Sequence, residues 1–279
     1  MFAVFSHALK RSLGAIIGWG LSLGLMGAFM LGFYDTVADQ GELFQVLIKQ
    51  YPPELMAAFG GMDINLFSPE GFLHMEFFSY MPLVIGIFAV LAGSSLLAGD
   101  EENGILDLLL AYPIQRTAFF LGRWLAFAVT MFIILASVWL GFSLVLPSTT
   151  MDVTILELAL PFLSLLAILF LFGTLALLLS MLLPSRNMAA MSAGLLLTFS
   201  FFVPVFASLD KKWEKIAAFF PMDYYQGGFA LTGINWEWLG GLLAFGALFA
   251  LLAWLLFLRR DIRVSGEGTW KLPKRTAQR

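Results

Sequence analysis

Of the 279 residues 60% are apolar and only 13% charged, with a net charge of −3 and a mean hydropathy of +0.87. That balance excludes an ordinary water-soluble domain. It also leaves no nucleic-acid footprint, and with no Cys in the chain the redox compartment is unmarked.

In chain order, residues 1–12 put Phe2, Phe5 and Leu9 on one helical face with His7 and Lys10 elsewhere, the pattern of a helix lying at the membrane interface. A helix needs roughly 20 apolar residues to cross the hydrocarbon core, and six blocks meet that length. They run over 13–34, 77–98, 120–146, 158–183, 188–208 and 239–258. Solid blocks rather than alternating strands predict an all-α, polytopic membrane protein. The first block exceeds a signal-peptide core and is expected to be retained. It carries Gly14, Gly18, Gly20, Gly24 and Gly27, whose spacing favours close helix packing within the chain and leaves a contact between subunits open.

The loop 35–76 holds seven acids and one Lys. Within it Leu43, Val46 and Leu47, the Pro52-Pro53 break and the Gly60-Gly61 stop read as an interfacial helix and a second short one, or as an extracellular gate. Between the fifth and sixth blocks, 209–238 places Trp213, Ile216, Ala217 and Phe220 at helical spacing before Pro221. Trp236, Trp238 and Trp254 mark the ends of the sixth block as interface anchors, and the tail 259–279 is basic. Lys and Arg collect twelve to four on the side that carries both termini, which predicts cytoplasmic termini in a cell membrane.

The blocks carry almost no ionisable groups, which disfavours an ion-coupled transporter. Arg123 lies about one turn inside the third block and is expected to reach back along its helix to the interface. The two His, His7 and His74, have no metal-binding neighbours, and HExxH, GxSxG and the phosphate-binding GxxxxGK[ST] are missing. Neither catalysis nor nucleotide hydrolysis is expected of this chain.

The informative stretch is 99–116, Gly-Asp-Glu-Glu-Asn-Gly-Ile-Leu-Asp-Leu-Leu-Leu-Ala-Tyr-Pro-Ile-Gln-Arg. Asp100, Glu101 and Glu102 precede a short helix that Pro113 stops. Leu106, Leu109, Leu110 and Pro113 form an apolar stripe that must dock on something. Spacing alone leaves two surfaces open, the bilayer or a partner protein.

An acidic pair, a Gly, a Leu-acid step, a Leu pair and a Pro-x-x-Arg ending resemble the coupling helix of the ABC-2 family of ABC transporter permeases. The matching residues are Glu101, Glu102, Gly104, Leu106, Asp107, Leu109, Leu110, Pro113 and Arg116. Asp100 leads the run, while Ile105 and Gln115 depart from the Thr and Ser usual in the family. Segments 54–61 and 68–79 also look like one bacterial branch. The resemblance implies six spans, an N-terminal interfacial helix and a coupling helix in a groove of a separate ATP-binding-cassette ATPase, which would bind the ATP and Mg. It also implies a second permease copy, the same or related, and short re-entrant helices in 209–238. Two functions are weighed: the permease of an exporter of hydrophobic or amphipathic substrate, and a membrane-embedded scaffold or enzyme without transport.

Overall fold

The computed structural model describes residues 1–39, 52, 68–106, 109, 111–112 and 114–259. The possible gate in 41–61 therefore lies, apart from Pro52, outside the described residues, as does the basic tail from 260 onward.

Apolar blocks without internal charges become long helices because every backbone polar group is then satisfied within its own segment. The amphipathic N-terminal stretch forms α1 (Phe2–Arg11), and the blocks give α2 (Leu13–Leu31), α3 (Met81–Ser95), α4 (Arg116–Val145), α5 (Ala159–Leu182), α6 (Arg186–Leu209) and α7 (Trp236–Arg259). Five are long and apolar enough to span a membrane. A sixth crossing forms if the short helix with its π turn, Pro69–Phe78, is joined to α3 across a 42° bend. The second block is thus part of a broken element: it begins inside the π turn His74–Phe78, and Pro82, near the start of α3, needs no backbone donor there.

The centre is α5, of which 67% of the apolar stretch is buried against 28–39% for the other spanning helices. It packs against α3, α4, α6 and α7, while α2 and α1 lie on α4. Glycines set the closest approaches. A Cβ on Gly93 of α3 would lie 2.0 Å from the Gly173 carbonyl oxygen of α5, and one on Gly141 of α4 would lie 2.4 Å from that of Gly24 in α2. The glycine-rich first block accordingly splits by face. Gly20, Gly24 and Gly27 meet α4, whereas Gly14 and Gly18 face open space. Near the Gly141 end a cluster of Phe77, Phe78, Phe142 and Phe162, with neighbouring ring centroids 5.0–6.2 Å apart, fills the core.

The connection from α6 to α7 divides into a peripheral and an inserted half. Phe219 is 88% exposed, and Trp213 and Ile216 are also exposed. Beyond Pro221 the chain enters the protein, and its non-helical backbone is satisfied by helix side chains. Met222 N–H donates to Ser200 Oγ at 3.1 Å, Gln226 N–H to Ser164 Oγ at 3.0 Å, and Gly228 N–H to His74 Nδ1 at 3.2 Å. The Tyr225 hydroxyl donates to the Phe78 carbonyl at 2.9 Å, and Gln226 exchanges two hydrogen bonds with the Asn235 backbone. Irregular backbone is stable at membrane depth only under such cover. The Ser164 and Ser200 hydroxyls thus serve this segment. Thr174 and Ser180, by contrast, bond their own helix carbonyls.

Candidate functional site

The 99–116 connection lies where α3 ends and α4 begins. A short helix, Ala98–Glu102, leads it and closes in a Schellman turn: Ile105 N–H donates to the Asp100 carbonyl at 2.9 Å and Gly104 N–H to that of Glu101 at 3.1 Å. That turn places Gly104 at φ +64°, the left-handed conformation glycine adopts without penalty. The glycine of the motif therefore has a local task, aiming the following residues back at the bundle.

Asp100 is 2% exposed. One carboxylate oxygen accepts from Arg11 Nη1 of α1 at 2.8 Å, and the other pairs with Arg123 Nη2 of α4. Arg123 is itself only 6% exposed and lies over the Phe119 ring, 5.3 Å from its centroid. At this end of the bundle the Arg123 guanidinium is met by a buried carboxylate rather than by open interface. An isolated charge here would carry a large desolvation cost, and the carboxylate offsets it.

The two neighbouring acids differ. Glu102 accepts from the Arg186 backbone N–H at 2.6 Å and thereby helps cap α6, whose first turn is also capped by Ser185. Glu101 sits half-buried one residue before it. At the far end of the connection Arg116 Nη1 donates at 3.4 Å to the last carbonyls of α7, those of Phe257 and Leu258. A cation at a helix C-terminus also complements the dipole. The connection is thus tied to α1, α4, α6 and α7.

The apolar stripe is used differently from a free docking face. Leu106 is 2% exposed and packs with Leu97, Phe119, Phe120 and Phe257 in a core cluster at this end of the bundle, and Leu109 and Ile114 lie against the same cluster. The two described members of the stripe therefore dock on this chain. Leu110 and Pro113, with Asp107, lie outside the described residues. Facing away from the bundle are Ile105, 42% exposed, and Tyr112, 68% exposed, with Ala111 between them in sequence.

The buried ion pair was not read from the sequence, although a signal for it exists. A cation one turn inside a span needs a counter-ion, and Asp100 is the acid nearest the end of the preceding span.

Bundle and connection together define a polytopic, all-α membrane protein with a charged, helix-clamped turn between two of its spans. The family model described as ABC-2 family transporter protein matches residues 19–262, and the chain belongs to that family. It is a membrane permease of the ABC transporter class. A search of curated proteins finds no match.

Proposed function

We propose that this chain is the permease subunit of an ATP-driven exporter, coupled through residues 99–116 to a separate ATP-binding-cassette ATPase that holds the ATP and Mg. Two permease copies, identical or related, would assemble with two ATPases in a cell membrane, with both termini cytoplasmic. The observation that carries the reading is the clamp. A push on Ile105, Ala111 and Tyr112 reaches α4 and α1 through Asp100, α6 through Glu102 and α7 through Arg116. The docking residues change with this reading. Leu106 and Leu109 shape the connection from inside, and the outward residues meet the partner.

An apolar cleft of about 650 Å³ among α5, α6, α7 and residues 218–221 suits a hydrophobic or amphipathic cargo and is counted as support for that class.

Co-purification with a candidate ATP-binding-cassette ATPase tests the reading. Tyr112→Asp should abolish recovery of the ATPase while the permease keeps its melting temperature. Unchanged recovery would mean that the connection lies on the bilayer or elsewhere.

A further inference from the structure

A second cavity, of about 330 Å³, opens between α2 and α3 at the end of the bundle that carries the 99–116 connection, with α4 as its floor. The charged residues lining it are Arg11 and Arg123. Both share one carboxylate, Asp100, so the three groups carry one unbalanced positive charge. Two polar atoms of the lining residues, Arg123 Nε and Thr130 Oγ1, are buried without a hydrogen-bond partner. Such atoms are rare in folded proteins and call for an explanation. Arg123 and Thr130 are seven residues apart on α4, about 10 Å along its axis.

The remaining wall is apolar. Phe88, Leu91 and Ala92 of α3 face Ala126 and Phe127 of α4 across the cavity. Leu91 is 54% exposed on the outer surface of the bundle, and Trp19 lies against Phe88 at 5.5 Å between ring centroids. A small soluble anion would gain nothing from these walls. An amphiphile would place its head at the arginines and its chain along them.

We infer that this cavity binds one acidic phospholipid from the leaflet on the side of the 99–116 connection, its phosphate against Arg11 and Arg123. The single unbalanced charge matches a head group bearing one negative charge, and basic pockets between membrane helices favour acidic lipids generally. Bound lipid would bridge α1, α3 and α4 beside the clamp, so its occupancy would stiffen the corner through which the connection is held.

The test uses the purified full chain without any ATPase, so its result stands apart from the coupling reading. Native mass spectrometry would follow retention of palmitoyl-oleoyl phosphatidylglycerol and of phosphatidylcholine with the same chains. Wild type should retain phosphatidylglycerol preferentially. Arg11→Gln should lower that preference about fivefold, the effect of one basic residue near a lipid head group, and Arg11→Lys should restore most of it. Leu91→Trp, which fills the cavity from an exposed position, should lower retention without altering charge. Glycerol phosphate, with the head and no tails, should fail to compete. Equal retention of both lipids, indifference to Arg11→Gln with normal melting, or displacement by glycerol phosphate would overturn the inference.

Discussion

Near its C-terminal end α4 meets α2 backbone to backbone, with Gly141 so close to Gly24 that no Cβ fits between them, and the surrounding core is phenylalanine. Near its start the same helix meets the rest of the protein through Arg123 and Asp100, two buried charges satisfied by geometry rather than by area. The first contact rests on shape and on many weak dispersion terms, so it resists movement. The second rests on a few directional bonds that hold or fail together. The helix is built like a lever with a packed fulcrum at one end and a jointed handle at the other, and the joint is where the 99–116 connection attaches.

Changes at the two ends should therefore differ in kind. The largest effect is expected from Asp100→Asn, which leaves Arg123 buried without a counter-charge, a change that typically costs about 3–5 kcal/mol. Thermal unfolding in detergent should register it as a large drop, and the paired replacement Asp100→Leu with Arg123→Met should recover most of the loss, because apolar groups can replace a buried ion pair with little penalty. A smaller but clear loss is expected from Gly141→Ala, whose methyl meets the Gly24 carbonyl oxygen and forces the helices apart at about 1–3 kcal/mol. No second-site charge change should rescue it. The smallest effect has the opposite sign. Gly18→Ala meets nothing within 4 Å and should stabilise α2 by about 0.5–1 kcal/mol. A change in oligomeric state without that gain would place Gly18 at a contact with another chain.

Much of the architecture was legible because uncharged blocks long enough to cross a bilayer have few other solutions. The bend before α3 was not, since Phe77 and Phe78 extend the apolar block back through a π turn that leaves no mark in hydropathy. In the connection, acid and glycine positions were readable as a motif, but their tasks were not. Asp100 reads in sequence as a complement to a helix dipole, while its partners stand 23 and 89 positions away. The Leu106 and Leu109 stripe announced that something must cover it, and hydrophobic spacing alone does not distinguish a partner from the chain's own helix ends. The ties of residues 222–228 to the bundle leave no mark in the spacing of 209–238, because they come from single hydroxyls and His74 on distant elements.

The central claim, that the clamp carries motion from the connection into the bundle, is most directly tested by spin labels at the far ends of two helices. The chain has no native Cys, so Leu144→Cys on α4 and Leu209→Cys on α6, both exposed, can be labelled alone. In the permease–ATPase complex in nanodiscs, ATP with vanadate should shift the distance between the labels. With the Asp100→Leu and Arg123→Met pair, the ATPase should remain bound while the distance change shrinks, because only the Glu102 and Arg116 ties are left to carry it. A shift of undiminished size in that double variant would contradict the account.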